Sequence, residues 1–341
     1  MAYGQVSADV IQSSVSGVSL GAGNSSIMKN RIINGAMVID QRNAGASIST
    51  SSGIFTYTVD RWRTVYSQTG KFTLQQNQGS VTPPVGFVNY LGATSSSAYS
   101  VGSSELFVIQ QLIEGYNVAD LGWGTASAKP VTLSFQVYSS LTGTFGGSLQ
   151  NNAANRSYPF SYSVPVANTW TTVSVTIAGD TSGTWLTTNG VGIQVWFGLG
   201  VGSTSSGTAG SWAGAAYLSA TGATSVVGTN GATFYITGVQ LEVGSSATGF
   251  EYVNYQTSLA NCERYYQVIA EITCNGSAAL SGTTFSSTLR TYPRATPTVT
   301  ATINTGTALS IYPKANSVSF TATSSAGNAV TINNVLVTAE L

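Results

Sequence analysis

The chain has 341 residues, with 12 Lys+Arg, 12 Asp+Glu, no histidine and a formal net charge of zero. Without histidine there is no Ser-His-Asp or Cys-His catalytic unit and no histidine-bearing zinc site, and two cysteines cannot complete a four-thiolate site. Serine (47), threonine (44) and glycine (38) dominate, yet 42% hydrophobic residues are enough to build a core, so a disordered linker is excluded too.

Residues 1–30 are small and polar, with scattered Val10, Ile11, Val15, Val18 and Leu20. They read either as an extended N-terminal arm that orders on a partner, the five apolar residues supplying the attachment, or as a merely frayed terminus. The first ten residues lack the positive head and apolar run of a secretory signal, and no stretch reaches 18 apolar residues. The expectation is a protein made in the cytoplasm and not inserted in a membrane. Cys262 and Cys274 are expected to be free thiols there.

Two-residue alternation of apolar and polar side chains recurs from here on and marks strands with one buried face. Ser104 to Glu114 has the length of a helix, but Val108, Ile109 and its turn-rich flanks favour a strand buried on both faces. Val131 to Val137 points Val131, Leu133, Phe135 and Val137 inward, and Thr171 to Ile177 does so with Val173, Val175 and Ile177. In Val191 to Phe197 the inward set is Val191, Ile193, Val195 and Phe197, which leaves Gln194 and Trp196 on the other face. The clusters at 142–147, 180–183 and 202–207 read as turns. In Phe234 to Val243 the apolar parity switches from even to odd, which predicts a bulge at Thr237-Gly238. Beyond Asn261 come short strands at 297–303, 308–311, 317–322, 330–332 and 335–341, turning at 304–306 and 324–328.

Many strands with polar turns and few helices predict an all-β protein: an antiparallel jelly-roll sandwich at 31–258, then a smaller β domain at 262–341. An enzyme would have to work through carboxylates, and none of the twelve sits in an acid/base signature. A balance of four lysines and eight arginines against twelve carboxylates leaves no basic field for nucleic acid. Sugar binding suits the composition better, because a pyranose stacks its C–H face on an aromatic ring while amides reach its hydroxyls. The candidates are Trp123, Tyr138, Trp185, Gln194, Trp196 and Trp212, against the alternative that each Trp is buried under a loop or against another subunit. Asn34, Asp40, Gln240 and Glu242, from expected first and last strands, form a tentative oxygen-ligand set for a structural calcium, with ordinary hydrogen-bonded roles as the alternative. No other cofactor is expected.

Lys29-Asn-Arg-Ile-Ile-Asn-Gly-Ala-Met-Val-Ile-Asp-Gln-Arg42, followed by Tyr57-Thr-Val-Asp-Arg-Trp62, resembles a family of bacteriophage virion proteins of the tail-fibre or head-fibre type. The resemblance continues through Ile109 to Gly115, Val131 to Phe135, Trp170 to Val175, Gly179 to Trp185, Phe234 to Gly244 and Cys262 to Tyr266. It implies a carbohydrate-binding-module-like jelly roll in which Phe234 to Gly244 pairs beside a strand at Ile32 to Ile39, and it implies no catalytic residue. Many calcium-binding modules carry an acidic residue where this chain has Thr237-Gly238.

The resulting expectation is a non-enzymatic virion appendage. It would be homotrimeric, held to phage head or tail proteins by its arm, and would bind host-surface polysaccharide. A capsid decoration or cement protein without a ligand, and a carboxylate-based polysaccharide depolymerase, are the alternatives.

Overall fold

The computed structural model describes residues 28–50, 55–274, 280–324 and 329–341. Val10, Ile11, Val15, Val18 and Leu20 lie outside the described residues. In chain order the first strands are β1 (Ile48–Ser49), β2 (Phe55–Tyr57), β3 (Trp62–Tyr66), β4 (Phe72–Gln76), β5 (Leu91–Ser95), β6 (Leu106–Glu114) and β7 (Val131–Ser139). Next come β8 (Gly143–Gln150), β9 (Ser157–Val164), β10 (Thr171–Ile177), β11 (Val191–Val201), β12 (Ser206–Gly207), β13 (Ser219–Ala220) and β14 (Thr233–Val243). A helix, α1 (Tyr255–Glu263), leads into β15 (Tyr266–Cys274), β16 (Leu280–Thr288), β17 (Thr298–Thr305), β18 (Thr307–Pro313), β19 (Ser317–Ser324) and β20 (Val330–Thr338).

Two six-stranded sheets, ordered β1-β4-β5-β14-β7-β10 and β2-β3-β6-β11-β8-β9, face each other across the principal core. The alternation in the sequence decides what points there. Val131, Leu133, Phe135 and Val137 of β7 and Ile193, Val195 and Phe197 of β11 are buried, and Phe135 meets Phe197 edge-on at 5.1 Å. Each such side chain contributes about 1.5–3 kcal/mol of transfer free energy, so this layer holds the sandwich together. β6 is buried along almost its whole length, its apolar residues lying on either side of the buried Gln110 and Gln111.

β14 carries the expected bulge. Its register against β7 shifts between Thr237 and Gln240, Gly238 sits at φ +61°, and the inward set passes from Phe234 and Ile236 to Val239 and Leu241. The segment at Ile32 to Ile39 corrects the expectation of a first strand. Asn34 and Met37 have positive φ, so the chain there is a series of turns that buries Ile32, Met37 and Ile39. It still lies beside β14, through Arg31 N–H to Leu241 O (2.9 Å) and Val239 N–H to Gly35 O (3.0 Å). Residues 142–147 are a second correction. Most of this run is the start of β8, because Phe145 fills the core there.

The C-terminal residues form two three-stranded sheets, β15-β20-β17 and β16-β19-β18, around Val299, Val318, Phe320, Val330, Ile332, Val335 and Val337. The predicted turn at 304–306 places Gly306 at φ +101°; that at 324–328 lies almost wholly outside the described residues. α1 was not predicted. Asn254 caps it by accepting the Thr257 N–H at 2.8 Å. Cys262 and Cys274 are unbonded thiols.

This second unit is joined to the first through charge. Arg264 on the α1 side reaches Glu114 of β6, Arg42 and Arg61 both reach Glu340, and Arg42 and Arg61 stack over Tyr266 and Tyr265, each at 3.6 Å.

Candidate functional site

A cavity of about 590 Å³ opens between the turns at 28–38, the loop at 86–88, residues 250–253 and α1. That volume falls in the range of small-molecule sites. Its aromatic wall is Phe87, Phe250 and Tyr252, with ring centroids 5.1 Å (87 to 250), 5.1 Å (250 to 252) and 5.8 Å (87 to 252) apart. Two glycines make room for them. A side chain at Gly238 would begin 2.6 Å from the Phe87 ring, and one at Gly86 (φ +92°) would begin 2.4 Å from the Tyr252 hydroxyl. Tyr252 is 63% exposed, so its ring remains open at the mouth.

The polar groups divide into those that build the cavity and those left over. Asn30 helps to build the wall: its amide oxygen accepts from Ile32 N–H (2.9 Å) and Leu241 N–H (3.0 Å), and its amide nitrogen donates to Val239 O (3.0 Å). Glu251 accepts the Asn30 N–H at 2.6 Å and the Lys29 N–H at 3.4 Å. Arg31 donates to Asp120 (2.8 Å) and to Asn117 O (2.9 Å), and Arg264 grips Glu114 with two donors at 2.9 and 2.6 Å. The side chains of Thr257 and Asn261, one turn apart on α1, and of Asn117 remain at the rim for a ligand.

The six aromatic and amide residues expected from the sequence fall in three other places. Trp123, Trp185 and Trp212 pack on one another at 4.7, 5.3 and 5.4 Å, and their indole N–H groups donate to Lys129, Ser182 and Ala178 carbonyls. Trp123 and Trp185 are buried, which corrects their assignment as sugar platforms: they tie loops to the core, with the half-buried Trp212 packed against them. Trp196 is a correction too. It is buried between Val108 and Leu218 on the outer face of its sheet.

Gln194 belongs to an amide row across that face, with Arg63 donating to Gln110 (2.6 Å), Gln110 to Gln194 (2.8 Å) and Gln194 to Asn151 O (3.0 Å). Tyr138 is half-buried on the outer face of the other sheet, stacked on Tyr235 at 5.3 Å and tilted against Trp170 at 5.5 Å. Tyr138 and Trp212 are the two of the six whose rings are half-buried with an aromatic neighbour beside them.

The four residues named for a calcium each make hydrogen bonds within the protein. Asn34 exchanges hydrogen bonds with Ile39 and donates to Asp60 O, and Asp40 accepts the Asn43 and Gly45 N–H groups. Gln240 donates to Glu242, which also accepts from Thr248 twice. Each side chain is spent locally, and among the described residues no group of three His, Cys, Asp or Glu is placed to hold a metal. Among the same residues no helix is long and apolar enough to cross a membrane.

Sequence reasoning missed Phe87, Phe250 and Tyr252. Phe250 and Tyr252 do alternate in Gly249-Phe-Glu-Tyr252, but Phe87 reaches them only through the bulge at Gly238, a long-range contact without a local signature.

No family profile matches the chain by sequence. No curated protein matches it either. Some solved structures align with part of it. A tailspike protein 4 enzymatically active domain from bacteriophage CBA120 aligns at 11% identity and a TM-score of 0.35 over 63% of this chain and 22% of that one. A structure described as CBM4 aligns at 15% identity and a TM-score of 0.31, over 62% and 98%. A family 11 carbohydrate-binding module from Clostridium thermocellum, in complex with a mixed-linked tetrasaccharide, aligns at 10% and 0.29, over 61% and 100%. The chain thus spans about a fifth of the tailspike domain, and at these scores the likenesses carry no functional conclusion.

Proposed function

We propose that the protein is a non-enzymatic adhesin of a phage particle, a homotrimeric fibre or appendage that binds host-surface glycans in the aromatic cavity. The observation that carries this reading is the Phe87, Phe250 and Tyr252 wall with Asn117, Thr257 and Asn261 at its rim. A ring face for sugar C–H groups beside unspent amide and hydroxyl groups is what carbohydrate recognition requires. Three copies of a weak site on one fibre give useful avidity. The arm at 1–30 would supply the attachment to the particle.

Absence of turnover is supported by the carboxylates. Among the residues lining the cavity only Glu251 carries one, and both its oxygens accept backbone N–H groups, whereas glycoside hydrolysis takes two facing carboxyl groups.

A glycan microarray probed with the full chain and with Tyr252→Ala tests the reading. The expected result is retention on a subset of glycans, weakened about tenfold or more by the substitution, with no shortening of the polymer. Polymer shortening would overturn the non-enzymatic part, and equal retention by the variant would overturn the site. Light scattering tests the trimer separately.

A second reading, a decoration protein whose cavity mouth is covered by a neighbour in the particle, draws on the exposure of Val85, Val88 and Val253 beside it. An image of the particle with density seated on those valines would favour it.

A further inference from the structure

The charges around the cavity specify its ligand further, and this inference rests on the glycan-binding reading above. We infer that the cavity selects uncharged glycan chains over acidic or amino-bearing ones. Two guanidinium groups line it, and each is already paired with a carboxylate. Arg31 gives Nη2 to Asp120 at 2.8 Å and Nη1 to Asn117 O at 2.9 Å. Arg264 gives Nε and Nη2 to Glu114, a carboxylate also held by the Tyr265 hydroxyl at 2.7 Å. The nearby Lys29 ammonium donates to the Thr248 hydroxyl (2.9 Å) and to Gly249 O.

The one carboxylate in the lining, Glu251, is held by the backbone N–H groups of Asn30 and Lys29. A uronate or sulfate entering here would meet that negative charge, two guanidinium groups already paired with carboxylates and a Lys29 ammonium already hydrogen-bonded to Thr248 and Gly249, and would have to shed its water or break one of these contacts. An ammonium would meet a carboxylate whose oxygens already accept hydrogen bonds. An uncharged sugar ring meets neither obstacle. Its hydroxyls suit Asn117, Thr257 and Asn261, and its apolar face suits the exposed Tyr252 ring.

The arrangement also shows how selectivity could be reversed. Asp120 is the half-exposed partner of Arg31, its side chain 47% accessible, so Asp120→Asn frees a cation at the cavity wall without disturbing the core.

The experiment uses the full chain and Asp120→Asn on immobilised dextran, mannan and arabinogalactan, on hyaluronan and polygalacturonate, and on chitosan, at about 20 mM and about 500 mM salt. The expected result is retention of the native chain on at least one uncharged polymer, changing less than about twofold with salt. Acidic polymers should bind it at least about tenfold more weakly, and Asp120→Asn should raise their retention several-fold in low salt only. Salt-sensitive retention of the native chain on the acidic polymers or chitosan, with none on the uncharged ones, overturns the selectivity and leaves glycan binding standing. Retention on none of the six removes glycan binding and the selectivity with it. An Asp120→Asn variant with native retention on hyaluronan overturns the claim that pairing of Arg31 sets the preference.

Discussion

The Tyr265 hydroxyl donates to the Glu114 carboxylate at 2.7 Å, so the chain just after α1 is fastened to the end of β6 in the first sandwich. Glu114 is 1% exposed and also receives both donors of Arg264. Tyr265→Phe should lower stability by about 1.5–3 kcal/mol, the value of a hydrogen bond to a charged group. Glu114→Ala, which strands the guanidinium, should cost about 3–5 kcal/mol. Urea unfolding of the two variants measures this, and equal, negligible losses would show that the contact adds nothing to the joint.

Burial pushes the Asp60 carboxyl up to about 6, against hydrogen bonds from Gln41 and the nearby Arg42, which lower it, and Glu340, which raises it. The folded state therefore holds the proton more tightly than the unfolded chain, whose carboxyl titrates near 3.8. Asp60's contribution is fully present below pH 3.8 and is lost as pH rises through about 6, a swing of roughly 2–3 kcal/mol. Asp60→Asn should remove that slope. Unfolding free energies of both proteins between pH 4 and pH 7.5 check it, and a wild-type-minus-variant difference that stays flat would refute it.

Gly238 sits at φ +61° with the Phe87 ring 2.6 Å from where a side chain would start. Gly238→Ala should lower stability by about 1–3 kcal/mol through backbone strain and overpacking, and should shift Phe87 against Phe250 and Tyr252. Near-ultraviolet circular dichroism with the glycan assay reads both effects. An unchanged aromatic signal would mean that the bulge does not set the cavity wall.

Trp185 and Trp196 are buried, at 8% and 7% exposure. Trp185→Ala and Trp196→Ala should each cost about 3–5 kcal/mol while leaving the glycan affinity of the folded protein as it was. Melting curves and affinity at low temperature separate the two quantities; lost affinity in a fully folded variant would return these indoles to the list of platforms.

Much of the sandwich is legible in the sequence because alternation reports directly on which face of a strand is wet. Val131 to Val137 is the clearest instance, and the parity change at Thr237-Gly238 revealed even an irregularity. The strand at Ile32 to Ile39 that the family resemblance implies is a run of turns instead. Positive φ at Asn34 and Met37 comes from packing against β14, which no local pattern records. The tryptophans misled for a related reason: Gly-rich surroundings suggest exposure, whereas Trp123, Trp185 and Trp212 satisfy one another. The cavity was hidden because its walls are far apart in the chain, from Ile32 to Arg264.

Glu340 is clasped by Arg42 and by Arg61, both from the turns that precede β3. Arg61 and Glu340 are nearly inaccessible to water, so ions in the medium do little to loosen the clasp. A pull on the C-terminal sheets would load these contacts and the Glu114 anchor together, and the strain would pass into the larger sandwich without being dissipated in a slack tether. The two units would then move as one lever.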